Sequence, residues 1–286
     1  MSSIRDLKRR IKSVRNIQQI TKAMKMVAAA RIRKAEEQLK AARPYAEKLK
    51  EVVTDLTSQM EDILHPLMES RPVKRVAYLV VSSDKGLCGA YNNNLLRMAW
   101  KDLSDANGPE HELIAVGAKV NKYLARRKVQ PSVGRTGWAP DFVLAQELAD
   151  TLSDWFINEQ VDQVIVFYTR AVSAMTQDPV REVILPLSNV AEEERGESLP
   201  YEFEPSAEVA LNILLPRYLR MIIYKILMEA KVSELGSRLK AMSNATDNAD
   251  KLAGELTLEF FRLRQESITR EILEISGGAE ALKASS

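Results

Sequence analysis

The residues best placed to do chemistry lie in one short run, Ser83-Asp84-Lys85-Gly86-Leu87-Cys88-Gly89, between an apolar stretch and a helical one. A glycine-bearing turn from strand to helix can present backbone N–H groups to an anion, as nucleotide-binding folds do. The G-x-G-x-x-G spacing is absent, however, and glycines serve tight turns equally well, so the run reads first as structural. No G-x-x-x-x-G-K-[ST] stretch occurs, which removes the phosphate cradle of a P-loop ATPase. Cys88 beside Lys85 has the makings of an activated thiol, but no histidine or second cysteine is near it, and a packed thiol is expected. His65, next to Pro66, and His111, in a polar stretch, are both expected at the surface. Two histidines and one cysteine cannot build the usual zinc sites. No catalytic residue, cofactor site or metal site is expected.

Charge is a stronger signal. The 286-residue chain carries a net +2, yet residues 1–50 hold fifteen Lys or Arg against Asp6, Glu36, Glu37 and Glu47, a local excess of eleven. Nucleic acid is one partner for such a segment, since a basic heptad helix resembles the DNA-binding region of a leucine zipper. A zipper separates its basic region from its seam, whereas here the two interleave, so an acidic protein surface fits better. A merely solvated face is the plain alternative. Farther on, Glu192, Glu193, Glu194, Glu197, Glu202, Glu204 and Glu208 read as a solvated acidic loop. The Arg-rich start raises a transit peptide, which is set aside because its apolar spacing runs on into the next forty residues. The longest apolar run, Ile222 to Met228, is broken by Lys225 and falls short of the ~20 residues that span a bilayer, so membrane association is expected to be peripheral. A single cysteine allows no intramolecular disulfide, and a reducing cytoplasm fits.

The elements that must position these residues fall into three segments: 1–64, 73–190 and 206–286. Residues 3–64 contain no glycine and one proline, Pro44, so a very long helix is permitted. With position a at Ile4, Ile11, Gln18, Lys25, Ile32, Leu39, Ala46, Val53 and Met60, and d at Leu7, Val14, Thr21, Ala28, Ala35, Ala42, Leu49, Leu56 and Ile63, 15 of 18 seam residues are apolar. The heptad fails at Gln18, Thr21 and Lys25, where Ile17, Ile20, Met24 and Val27 offer an alternative stripe one position round. In the middle segment RVAYLVVSS, ELIAV, VDQVIVFYT and VREVILPL read as strands, alternating with NNNLLRMAWKDL, AKVNKYLARR and FVLAQELADTLSDWFINE as helices; the alternation implies a doubly wound, mainly parallel sheet. From the N-cap Ser206, a second long helix with a kink expected at Pro216 follows 3/4 spacing to Leu263, then slips phase to Ile268, Ile272, Ile275, Ala279 and Leu282. The expected fold is therefore α/β: a long antiparallel coiled coil of the terminal segments with an inserted Rossmann-like α/β domain. Leu49 and Leu56 are expected toward the Val232 to Leu239 end, and the two seam defects are expected to meet in a locally unwound stretch.

The run Ile268 to Ala281, ITREILEISGGAEA, resembles the signature of F-type ATP synthase gamma subunits. IQQITKAMKMVAAA from Ile17 to Ala30, Arg43-Pro44-Tyr45, LVVSSDKGLCGAYN from Leu79 to Asn92 and MSNATDN from Met242 to Asn248 extend the resemblance along the whole chain, in the family's order. Pro216 departs from it, placing local helix straightness in doubt. The absence of a cysteine-bearing regulatory insert points to the bacterial type.

The resemblance implies a non-catalytic rotor of the central stalk. It would couple proton-driven c-ring rotation to conformational change at beta-subunit sites during ATP synthesis, and regulate ATPase activity and proton flow. It implies beta-subunit contacts at Met24, Lys25, Arg238, Arg264, Gln265, Thr269 and Glu271. Tyr201, Glu202, Phe203 and Glu204 would meet the membrane c ring, and the α/β domain would hold an epsilon subunit. Three alpha and three beta subunits would surround the coil, with Ile268 to Leu282 as a smooth bearing, at the cytoplasmic face of the cell membrane. A dinucleotide-binding enzyme built on the middle domain and a basic nucleic-acid-binding coiled coil are the competing readings.

Overall fold

The computed structural model describes residues 3–58, 65–106, 108–173, 176–187 and 206–284. Helix α1 spans Ile4–Ser58 and passes through Pro44 without interruption. Ser3 opens it, exchanging hydrogen bonds with Asp6: the Asp6 amide donates to Ser3 Oγ at 3.2 Å and Ser3 Oγ donates to Asp6 Oδ2 at 2.8 Å, a reciprocal N-terminal cap. A second long helix, which we call α5, spans Ala207–Ala284, and Pro216 lies within it. Ser206 caps it as expected, accepting from the Val209 amide at 3.3 Å.

Between them lie β1 (Arg75–Val81), α2 (Tyr91–Leu103), β2 (Glu110–Val116), α3 (Ala118–Ala125), β3 (Val133–Arg135), α4 (Phe142–Ile157), β4 (Gln163–Ala171) and β5 (Gln177–Leu185). The sheet order is β3-β2-β1-β4-β5, parallel except for the antiparallel edge pair β4 and β5. β3 escaped the sequence pattern because three residues containing Gly134 carry no period.

Alternate residues of the strands face two covered sides, which explains their continuous apolar character. Val76, Tyr78, Val80, Leu113, Ala115, Ile165 and Phe167 pack with Leu95, Leu96 and Ala99 of α2 and Val120 and Leu124 of α3. Ala77, Leu79, Val81, Ile114, Val116, Val164 and Val166 pack with Ala145, Leu148, Leu152 and Phe156 of α4. That second cluster continues through Leu49, Val53 and Leu56 of α1 and Leu211, Leu215, Leu219, Ile223 and Leu227 of α5, so the middle segment is not a free-standing insert.

The chain divides into two compact units, Ala28–Arg238 and Met1–Val27 with Leu239–Ser286. In the larger one, α1 residues Leu39 to Lys50 lie beside α5 residues Tyr218 to Glu229. This corrects the expected offset, which set Leu49 toward Val232 to Leu239: α5 is displaced by more than a heptad, and its residues 226–236 are almost all buried, with the Ala230 carbonyl accepting from Tyr91 of α2. In the smaller unit, Gln18, Thr21 and Lys25 meet Asp250, Thr246 and Ser243, numbers that run in opposite senses and make the helices antiparallel. The seam defects of α1 therefore do not meet the phase slip after Leu263.

Candidate functional site

In a doubly wound sheet the ligand crevice lies beyond the carboxyl ends of the strands where the order reverses, here at β1 and β4. The run singled out above, Ser83 to Gly89, follows β1 at this point. The Asp84 carboxylate turns to the β2 side of β1: it accepts from Ala118 N at 2.8 Å, Gly137 N at 2.9 Å and Trp138 N at 3.0 Å, tying the loop after β1 to the first turn of α3 and to the loop after β3. Ser82 carries the other connections: its Oγ accepts from Val120 N at 2.9 Å, and its carbonyl accepts from Trp138 Nε1 at 2.9 Å. Gly117 sits so close behind, at φ 107°, that an added Cβ would come within 2.3 Å of Ser82 O. Cys88 is packed as expected, 2% exposed, with Asn92 Nδ2 donating to its sulfur at 3.1 Å.

The mouth of the crevice is occupied by α5. Arg238 Nη2 donates to the Lys85 and Gly86 carbonyls at 3.3 and 3.2 Å, while its Nη1 pairs with Glu234 Oε1 at 2.6 Å. Glu234 takes a second cation, Lys231, at 2.9 Å, and Lys231 Nζ lies 5.5 Å above the Trp138 ring. Tyr91 donates to the Ala230 carbonyl at 3.0 Å; burial, reinforced by Glu234, raises its phenol and keeps it a donor. A dinucleotide enzyme would leave this crevice open. Here it is the socket of a helix.

Glu229, one turn before Glu234, faces the edge strands. Burial pushes its carboxyl up, against the pull of Lys225 at 3.9 Å and of Arg170, while Glu182 adds to the rise. Its Oε2 is enclosed without a partner. Tyr168 donates to Glu182 Oε2 at 2.9 Å and Arg170 pairs with the same oxygen at 2.8 Å. Glu229 also lines a cavity of about 210 Å³ with Leu39, Ala46, Tyr218, Met221 and Lys225.

In the smaller unit the three polar seam residues each have a polar partner. Gln18 Nε2 donates to Asp250 Oδ1 at 2.8 Å, Thr246 Oγ1 donates to Thr21 Oγ1 at 2.9 Å, and Lys25 Nζ donates to Ser243 Oγ at 3.0 Å. Thr21 is 9% exposed, and every described a and d position of α1 is buried or half-buried. The heptad is thus unbroken, contrary to the expected unwinding, because hydrogen bonds replace apolar contacts at these rungs. The alternative stripe faces out: Ile17, Ile20 and Val27 are exposed.

Of the expected contact residues, Met24 and Lys25 are half-buried, and Arg238 is held in the crevice. Arg264, Gln265, Thr269 and Glu271 are all exposed, on a stretch of α5 whose Ile268, Ile272 and Ile275 are exposed as well. They are brought together only along that one helix. Tyr201 to Glu204 lie outside the described residues. His111 is exposed, but His65 is half-buried, its Nδ1 accepting from Leu67 N at 3.1 Å to cap a 3-10 turn, and burial lowers its pKa. Among the described residues no group of three or more His, Cys, Asp or Glu could hold a metal, and no helix is long and apolar enough to cross a membrane. Sequence reasoning singled out the run that holds Asp84 without giving Asp84 a role, and missed Glu234 and Glu229. The signal for these two was helical spacing, Lys231 and Arg238 standing three and four residues from Glu234 and Lys225 four from Glu229.

A protein-family model described as ATP synthase matches residues 3–282. The chain is 45% identical over 285 residues to the ATP synthase gamma chain of Desulforamulus reducens, covering 99% of this chain and 100% of the relative. The ATP synthase gamma chain of Moorella thermoacetica is likewise 45% identical over 285 residues, with 99% and 100% covered. Among solved structures, a chain of the central stalk and c-ring of Tetrahymena thermophila mitochondrial ATP synthase aligns with a TM-score of 0.59 at 26% identity, over 79% of this chain and 99% of that one. A chain of the Euglena gracilis mitochondrial ATP synthase, OSCP/F1/c-ring, shares the fold with a TM-score of 0.69 at 18% identity, over 98% and 95%.

Proposed function

Since the chain belongs to the ATP synthase gamma-chain family, we propose that it is the central-stalk rotor subunit of an F-type ATP synthase, doing no catalysis itself and carrying torque to sites on other subunits. The observation that carries this reading is α5 at the mouth of the crevice. Arg238 ties it to the loop beyond β1 and Tyr91, at the head of α2, donates to its Ala230 carbonyl, so the α/β domain holds a helix where related folds hold a nucleotide.

Three alpha and three beta subunits surround the coil in this reading, epsilon binds the α/β domain, and Tyr201 to Glu204 meet the c ring. The assembly sits at the cytoplasmic face of the cell membrane and also governs ATPase activity and proton flow. Met24, Lys25, Arg238, Arg264, Gln265, Thr269 and Glu271 are the proposed beta-subunit contacts. An asymmetric shaft offers each beta site a different face in turn, and a difference in contact free energy between rotor angles becomes a difference in nucleotide affinity. Arg238 acts in this scheme by holding the loop at Lys85 and Gly86, whose exposed neighbour Leu87 forms its outer surface.

The test is reconstitution. Purified chain, mixed with alpha and beta subunits of a close relative, should co-elute with them and raise their ATP turnover, while the isolated chain binds no nucleotide in equilibrium dialysis and hydrolyses none. Stoichiometric nucleotide on the isolated chain would move the assignment to the dinucleotide enzyme.

A further inference from the structure

Two neighbouring rungs of the α1 seam carry alanine, Ala42 and Ala46, while the rungs on either side carry Leu39 and Leu49. Both alanines are half-buried, and α5 presents Tyr218 and Met221 to the same space, 8% and 6% exposed. The short side chains leave a cavity of about 210 Å³ between the two helices, inside the larger unit. A cavity of about 150 Å³ with apolar walls takes up benzene, so this one accommodates one or two fused rings. A ring seated there gains dispersion contacts that the alanines do not supply, and Tyr218 offers it an edge-to-face partner. The lining also has a polar end. Glu229, its side chain 13% exposed, has Oε2 enclosed, and Lys225 lies 3.9 Å from Oε1, beyond hydrogen-bond length, so Oε1 is open to a donor. Arg43 and Glu47, paired at 3.7 Å and 72% and 70% exposed, stand at the mouth. With Arg43, Lys50 and Lys225 against Glu47 and Glu229, the lining is net positive and repels an organic cation. An organic anion would have to give up water to lie beside the Glu229 carboxyl, which disfavours it as well.

We propose that this cavity is a binding site for a small neutral aromatic molecule with one hydrogen-bond donor, of the indole or phenol class, its ring between Ala46 and Tyr218 and its donor on Glu229. Bound there, the molecule bridges α1 and α5 and stabilises the folded chain by mass action. The site is a property of the isolated chain and does not rest on the rotor reading; in that reading its ligand braces the shaft.

The experiment titrates the full chain with indole, phenol, toluene, benzylammonium and benzoate, following the thermal unfolding midpoint and the methyl resonance of Met221, assigned through Met221→Leu. Indole and phenol should half-saturate the resonance shift below ~1 mM and raise the midpoint by about 2–4 °C at tenfold excess over the dissociation constant. Toluene, which has no donor, should bind about three- to tenfold more weakly, and the two ions should not saturate in this range. Ala46→Leu fills the space and should weaken indole by about tenfold or more. Glu229→Leu should bring indole down to the affinity of toluene and leave toluene unchanged. Absence of a saturable shift with indole would overturn the site, as would undiminished indole binding to Ala46→Leu, which would put the ligand elsewhere. Indole affinity unmoved by Glu229→Leu would overturn the role of the donor, and either ion binding as tightly as indole would overturn the ligand class. If Ala46→Leu does not fold, the parent chain decides: a rise in midpoint without movement of the Met221 methyl sinks the proposal.

Discussion

The carboxylate of Asp84 lies 2.8 Å from the amide nitrogen of Ala118, at the opening of α3, and fastens the loops after β1, β2 and β3 to one another through its three backbone donors. Hydrogen bonds to a charged acceptor are worth about 1.5–3 kcal/mol each, and removing the acceptor strands all three donors together. Asp84→Ala should therefore lower stability by ~3 kcal/mol, less than the sum because water reaches the exposed Gly137 amide. Chemical denaturation measures it, and a loss below ~1 kcal/mol would show that the loops hold without their anchor.

The pair Arg238 and Glu234 can be read by comparing single with double substitutions. Their side chains are 12% and 4% exposed, but Lys231 at 2.9 Å stays with Glu234 when Arg238 is removed, so the loss should be about 1–3 kcal/mol, below that of a buried charge left wholly unpaired. Arg238→Met should cost that much in urea unfolding. Arg238→Met with Glu234→Leu should recover most of it, since an apolar pair of similar volume avoids the desolvation cost. The double variant should nevertheless loosen the loop at Lys85 and Gly86, whose carbonyls lose their donor; hydrogen exchange of residues 85–89 reads this separately.

Glu229 makes stability depend on pH with a definite sign. Its carboxyl is raised above the ordinary 4.5, chiefly by burial, so the folded chain holds this proton over a range where the unfolded chain has released it. Stability from this group is complete below the unfolded value and falls as pH rises through the folded one. The charges facing it are Lys225 on its own helix and Arg170 and Glu182 on β4 and β5. Glu229→Gln should flatten the decline, so that the variant gains on the parent as pH rises from about 4.5, the ordinary carboxyl value, toward neutrality. Parallel denaturation curves for the two chains at all pH values would show that Glu229 does not titrate in this window.

Much of the architecture was legible because its periods are long. The a and d positions from Ile4 to Leu56 are all buried or half-buried, and Leu79, Ile114 and Val166 sit in runs whose continuity announced a sheet covered on both faces. The offset of the helices was not legible, for an alanine-rich seam packs almost equally well at several offsets and the ties of Ala230 and Arg238 to the domain join residues more than a hundred positions apart. Gln18, Thr21 and Lys25 were read as defects because a seam pattern counts apolar residues and is blind to partners 218 to 232 residues away. Asp84 and Arg238 were both named in the sequence, but their partners, 34 to 54 and 152 to 153 residues away, were hidden for the same reason.

Arg264 and Gln265 are exposed, and the helix beyond them shows Ile268, Ile272 and Ile275 at 46%, 60% and 73% exposure. A stretch that touches so little owes the isolated chain little, and surface substitutions of this kind stay within about 0.5 kcal/mol. Arg264→Ala with Gln265→Ala should accordingly leave the urea midpoint of the isolated chain unchanged. In the rotor reading the same two side chains meet beta subunits at some angles and not at others. A loss of ~1.4 kcal/mol in that difference is a tenfold loss in rate, so the double variant should slow ATP turnover of the reconstituted complex by about that factor. Hydrogen exchange supplies an independent reading. An unpacked helical stretch opens readily, so residues 264–279 should exchange fast in the isolated chain and become protected on assembly. Full turnover together with unprotected amides would make this end of the helix a spacer without contacts, and the proposed beta-subunit surface would have to be sought on Met24, Lys25 and Arg238.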